Sequence, residues 1–234
     1  MTKARDTANL TGSGVGLSLL DIDAGTDIGA ALVDADLMIV DDGAGGTNRK
    51  ATMSRLATYM GTKIGGGMEF IASSGAISSA ASATFTQFDS SKYDHYKFYF
   101  MYVKPATDNV KLHAFASSDG GSSYDSTSAN YITDGTTETG VGFCIHRNAS
   151  AGNDTNEYGV CGVLNIFGPH LTNYTYSTSD TVVMHLNGDA YRGGTASTPT
   201  SVHKVAADVD AMKFVFSSGN IASGEITMFG VVNS

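Results

Sequence analysis

The 234-residue chain contains no tryptophan, three prolines and two cysteines. Two thiols are too few for a disulfide scaffold in a chain this size, so a core has to provide the stability. Charged residues make up 16% of the sequence, well under the usual quarter, with 14 basic against 23 acidic. The resulting net charge of −9 leaves no basic field for a phosphate backbone and argues against a dedicated nucleic-acid binder. No apolar run approaches the roughly 18 residues of a membrane helix, so no membrane insertion is expected. The opening Met1–Asp6 lacks the hydrophobic segment of a secretory signal, and the expectation is a soluble protein made in a cytoplasm.

Glycine is abundant, at 28 residues, and hydrophobic residues reach 41%, enough for a core. With plentiful serine and threonine, this composition suits short strands and tight turns rather than long charged helices. Residues 1–16 are polar with almost nothing to bury and read as an extended arm. Residues 17–67 read as a small connector. Within it Leu37–Val40 and Asn48–Thr52 flank a turn-rich stretch, and Ser54 is placed to cap a short helix over Arg55–Met60, ended by Gly61. The connector has too little apolar surface for a core of its own and would be stable if copies packed around an axis. Gly65–Gly67 marks the boundary.

From residue 68 to 234 the apolar residues alternate with period two. Tyr96, Phe98, Phe100 and Tyr102 fall on one face; so do Tyr158, Val160, Leu164 and Ile166; so do Val182, Met184 and Leu186; so do Met212, Phe214 and Phe216. Roughly nine strands separated by Gly/Ser/Asp/Asn loops predict an antiparallel β-sandwich, jelly-roll-like, in a mainly β protein.

The residues offer little chemistry. Asp21–Asp27 superficially resembles a calcium loop, but Leu32 stands where an EF-hand needs its last glutamate, and a turn explains the aspartates. Gly43–Lys50 lacks the Gly-Lys-Ser/Thr ending of a phosphate loop and reads as a turn. The six histidines are scattered without the spacing of a zinc pair, and most suit structural roles in strands. His146, Asp154 and a serine do not make a triad without a nucleophile elbow. No catalytic residue, metal or cofactor is therefore expected. Cys144 and Cys161 lie on expected strands, as buried thiols or as one cross-strand bridge; buried thiols are favoured.

Five exposed aromatics stand out because they are expected in Gly/Ser/Thr/Asn-rich loops rather than in alternating strands: Tyr124, Tyr131, Tyr174, Tyr176 and Tyr191. A tyrosine ring offers a flat apolar face and a hydroxyl at small entropic cost, which suits binding to sugars or proteins. With the neighbours Asp125, Asn130, Asn173 and Arg192 they form the candidate contact set. The alternative is that these rings cover the ends of the sandwich or sit in subunit interfaces.

The segment Leu37-Met-Ile-Val-Asp-Asp-Gly-Ala-Gly-Gly-Thr-Asn-Arg-Lys-Ala-Thr-Met-Ser-Arg-Leu-Ala-Thr-Tyr59, preceded by Gly25–Gly29, resembles a connector module of fibre proteins of marine bacteriophages. The opening Thr2–Asp6 is similar to the starts of such fibres. Asp94–Phe98, Val103–Asp108, Ser117–Asp125 and Gly224–Gly230 resemble their distal sandwich. The resemblance implies a non-enzymatic virion protein, made in the bacterial host cytoplasm, with no shared catalytic residues. It implies a homotrimer whose N-terminal arm grips other virion proteins and whose sandwich meets a host surface glycan or protein. A head or collar fibre, or another tail component without receptor binding, is the alternative. An enzyme trimming surface polysaccharide is the third reading, and the absence of a catalytic motif argues against it.

Overall fold

The computed structural model describes residues 26–41, 48–63, 67–133, 142–146, 150–185, 189–192 and 199–232. The arm, most of the Asp21–Asp27 stretch and the centre of the Gly43–Lys50 turn lie outside these residues. The chain divides into two compact units, Met1–Lys63 and Ile64–Ser234.

In the first unit β1 (Leu37–Asp41) and β2 (Asn48–Thr52) pair antiparallel, Leu37 opposite Thr52 and Asp41 opposite Asn48. Asp36 secures the entry to this pair: its carboxylate accepts the Val33 N–H at 2.8 Å and its carbonyl accepts the Met53 N–H at 2.9 Å. Helix α1 (Met53–Lys63) follows directly. It starts before Ser54 and continues through Gly61, which corrects the expected limits. A single glycine near a helix end costs only about 1 kcal/mol and does not stop the helix. Among the described residues of this unit none is buried. Leu32, Leu37 and Ile39 on the strand side, and Leu56, Tyr59 and Met60 at helical spacing, are exposed.

The second unit holds β3 (Met68–Ser73), β4 (Ile77–Ala80), β5 (Ala83–Phe85), β6 (Tyr93–Pro105), β7 (Leu112–Ser117), β8 (Tyr131–Thr133), β9 (Phe143–Cys144), β10 (Val160–Phe167), β11 (Thr175–His185), β12 (Asp189–Arg192), β13 (Thr200–His203), β14 (Ala211–Phe216) and β15 (Ile221–Val232). Among the described residues more strands appear than the nine expected, because several of only two to four residues stand beside the long β6, β11 and β15. They form an antiparallel β-sandwich in a mainly β chain. One sheet has nine strands, ordered β3-β15-β6-β10-β11-β13-β8, with β4 also on β15 and β12 also on β11. The other has four, ordered β5-β14-β7-β9. Edge-to-face aromatic contacts lock the two sheets: Phe98 lies 5.3 Å from Phe85 and 5.0 Å from Phe214, and Phe100 lies 5.5 Å from Phe214. Cys144 and Cys161 sit in different sheets and form no disulfide.

Alternation holds for Tyr96, Phe98 and Phe100, for Val160, Leu164 and Ile166, and for Met212, Phe214 and Phe216, all buried. It fails at Tyr102, which is exposed, with Val103 buried in its place. The cause is a β-bulge. Tyr102 adopts φ +50°, and the register to β10 shifts between Phe100↔Gly162 and Val103↔Val160. On the opposite side a Cβ on Gly224 (φ +114°) would stand 2.5 Å from the Tyr102 carbonyl oxygen, so only glycine allows β15 to approach the bulge. Tyr158 is exposed rather than inward because Gly159 (φ +78°) turns the chain just before β10. In β11 the inner face carries Val183, not Val182, in line with Thr175, Ser177, Ser179 and Thr181. Three of these buried hydroxyls are matched by carbonyls: Ser177 donates to the Ser201 oxygen at 3.3 Å, and Ser179 and Thr181 donate to the Ile145 oxygen at 2.7 and 2.8 Å, while the Thr175 hydroxyl has no partner among the described residues.

Candidate functional site

The stretch Ser117–Asp125 is rich in groups that bond their own backbone, and it folds into a self-knitted turn after β7. The Asp119 carboxylate accepts the Ser123 hydroxyl at 2.6 Å, the Ser123 N–H at 2.8 Å and the Ser117 hydroxyl at 2.8 Å. Those bonds, the Ser123 hydroxyl foremost, lower its pKa to about 2. The Gly120 N–H is held by both oxygens of Asp210, at 2.9 and 3.0 Å. A rigid turn therefore delivers Tyr124 and Asp125. The Lys213 ammonium lies 4.5 Å from the centre of the Tyr124 ring, a cation–π distance.

Asp125 organises the site. Its Oδ2 lies 2.9 Å from His203 Nε2 and accepts Asn130 Nδ2–H at 2.7 Å, while Oδ1 accepts the Thr127 N–H at 2.9 Å. Burial pushes its pKa up, but the bonds from His203, Asn130 and Thr127 outweigh this and hold the carboxyl at about 2. His203 is 78 residues away in sequence and its side chain is only 5% exposed. The Tyr131 ring packs on it at 4.7 Å between centroids.

Tyr131 was expected in an exposed loop. It is instead buried at the start of β8, where its hydroxyl accepts the Ala116 N–H at 3.0 Å and donates to the Asp125 carbonyl at 2.9 Å. Burial raises its phenol pKa well above the ordinary value. Tyr131 thus supports the site from beneath.

Two pockets result. The first, about 280 Å³, lies among Ser118, Ser123, Tyr124, Asp125, Asn130, His203 and Val205. The second, about 320 Å³, is lined by Asn173, Tyr174, Tyr176 and Ala206. Tyr174 precedes β11 and Tyr176 lies on that strand, not in a loop; they are 48% and 55% exposed. Because Val205 and Ala206 are consecutive, the pockets flank one short backbone segment after β13.

Most of the sequence-derived set therefore lines one of two pockets: Tyr124, Asp125 and Asn130 the first, Asn173, Tyr174 and Tyr176 the second. Tyr191 and Arg192 line neither. They lie on β12, also a strand rather than a loop, opposite Val183 and Val182 at the far end of β11. From Tyr176 to Val183 the strand runs roughly 23 Å. Sequence reasoning missed His203 as part of the site, because a lone histidine in a strand suits a structural role, and its ring packing and Asp125 bond fit that role. The segment Lys204–Ala206 carried no signal.

Elsewhere, His146 is buried and its Nε2 accepts the Leu112 N–H at 2.9 Å. His113 beside it is lowered to about 4 by burial, with His146 and Lys111 adding to the effect. Among the described residues no group of three or more His, Cys, Asp or Glu is gathered that could hold a metal ion.

A second surface of interest is the outer face of the nine-stranded sheet. Phe70, Tyr99 and Met101 are exposed there, and Phe229 bridges two of them, 5.9 Å from Phe70 and 5.4 Å from Tyr99. Compared with known families and with curated proteins, the chain matches no family model and no curated protein.

Proposed function

We propose that this chain is a structural fibre protein of a phage virion, a non-enzymatic homotrimer anchored by its N-terminal arm, whose β-sandwich contacts the host cell surface. One observation carries the reading: residues 26–63 contain regular elements with large exposed apolar side chains and, among those described, no buried residue. A unit that hides nothing by itself is ordered when other copies cover it. The resemblance of Leu37–Tyr59 to a fibre connector supports the same reading. Three copies would present three sandwiches together and raise weak contacts to useful avidity.

Light scattering of the full chain tests it. A trimer weighs about 73 kDa, three times 24.3 kDa. Replacing Leu56 and Met60 together by glutamate is expected to lower that mass to a monomer's. A full-length monomer overturns the fibre reading.

The exposed apolar stripe on the nine-stranded sheet favours a second reading, a head, collar or tail component that packs on other virion proteins without receptor binding. That reading expects no affinity for cells.

A further inference from the structure

We propose that copies of this chain touch through the outer face of the nine-stranded sheet, along a row of side chains that crosses seven strands. The proposal deepens the fibre reading by naming the face its copies share, and rests on that reading for the link that keeps them close.

Strand register assembles the row. Met68 stands opposite Val231, Val231 opposite His95, His95 opposite Phe167, Phe167 opposite Tyr176, Tyr176 opposite Val202 and Val202 opposite Ile132. Tyr96, Ile166, Ser177, Ser201 and Tyr131, each one residue away along its strand, are buried, so alternation turns the row to the outside. Met68, His95, Phe167 and Tyr176 are exposed, and the His95 and Phe167 rings meet edge to face at 5.3 Å. Six spacings of about 4.8 Å between strands make the row roughly 29 Å long.

Charge and area select a second copy as the occupant. The row holds no lysine, arginine or carboxylate, and the next row, from Phe70 through Phe229 to Thr200, has Lys97 as its only charge. On a chain of net charge −9 two copies repel each other over most of their surface, and a face without carboxylates is where they can meet. The area is small. The two rows cover about 400 Å² per copy, roughly 29 Å by 14 Å, so a paired contact buries about 800 Å² and falls short of the roughly 1,200 Å² of a stable interface between free proteins. It suffices for copies already tethered. Met68, the first residue of β3, is five residues past Lys63 at the end of the first unit, a reach of at most about 18 Å. Copies joined through that unit therefore hold their rows at an effective concentration on the order of millimolar, where a weak contact closes. Tyr176 then belongs to this contact rather than to a surface that meets the host.

The test uses the full chain with a photoreactive side chain in the row. Phe167→p-benzoylphenylalanine and, separately, Tyr176→p-benzoylphenylalanine are sized by light scattering, irradiated and run on a denaturing gel. A covalent dimer of about 49 kDa, twice 24.3 kDa, is expected, with the joined peptides lying in the two rows. Tyr158→p-benzoylphenylalanine, equally exposed but just before the opposite end of β10, should give none. All three positions are exposed, and an unaltered thermal transition checks that the variants fold. A trimer that yields no covalent dimer from 167 or 176 overturns the proposal, leaves the fibre reading standing and gives the row to another partner. So does a dimer joined outside the rows, or an equal yield from 158. A monomeric mass overturns the fibre reading and this proposal with it. Joined rows in an oligomer of another size overturn the fibre reading alone.

Discussion

Replacing Asp125 by asparagine removes one charge from the centre of the site while keeping nearly the same shape. The folded carboxyl is lowered from 3.8 to about 2. At 1.36 kcal/mol per pH unit, that difference is worth about 2.4 kcal/mol before screening. Solvent reaches 22% of the side chain, so we take roughly half, about 1 kcal/mol, as its contribution near neutrality. The sign follows from the direction of the shift. A carboxyl that is more acidic when folded stabilises the protein above its unfolded pKa, and this stabilisation is lost as pH falls through the folded one. About half should be gone by pH 3 and most of it by pH 2. Asp119 and other carboxylates titrate in the same range, so the informative quantity is the difference between wild type and Asp125→Asn in urea unfolding at a series of pH values. We expect wild type to be more stable at pH 6 and the two to converge below pH 3. A gap that stays constant with pH, or no gap at pH 6, refutes the assignment of Asp125 as a charge stabilised by His203, Asn130 and Thr127.

Three further outcomes are expected from the same structure. Gly224→Ala should destabilise the fold by at least about 2 kcal/mol in chemical denaturation, because φ is +114° and the new Cβ would meet the backbone of Tyr102. Tyr131→Phe should cost about 1–3 kcal/mol by the same assay, since it leaves the Ala116 N–H buried without its acceptor. Phe214→Ala, which empties the junction of Phe85, Phe98 and Phe100, should cost about 3–5 kcal/mol and lower the melting temperature accordingly.

The sandwich was legible because alternation is a local signal. Tyr96, Phe98, Phe100, Leu164, Ile166 and Phe214 can be assigned to the core from their neighbours two residues away. Tyr102 and Tyr158 are misplaced by alternation alone because a bulge at the one and a glycine turn after the other change which residues face inward. The inner face of β11 was hidden for a different reason: Ser177, Ser179 and Thr181 read as polar, and become suitable for burial only because Ile145 and Ser201 present carbonyls to them. The site was half legible. Tyrosines in Gly/Ser-rich stretches drew attention to both pockets, but the Asp125–His203 contact is made by strand order across 78 residues and has no local trace. Tyr131 shared the composition of an exposed loop and was drawn inward by one hydroxyl that satisfies two backbone groups.

The bulge in β6 also sets how this strand tolerates changes in length. Losing one residue from a central strand normally reverses every side chain beyond the gap and turns the core outward. Tyr102 is the surplus position, so its deletion joins Met101 to Val103 and leaves Phe100, Val103 and Pro105 on the side they already occupy. The same deletion withdraws one of the backbone groups that crowd Gly224, the Tyr102 carbonyl, while Val103 Cα and the φ of +114° still favour glycine there. The strand thus carries a reading frame with one silent position, and the glycine opposite is the mark that records it.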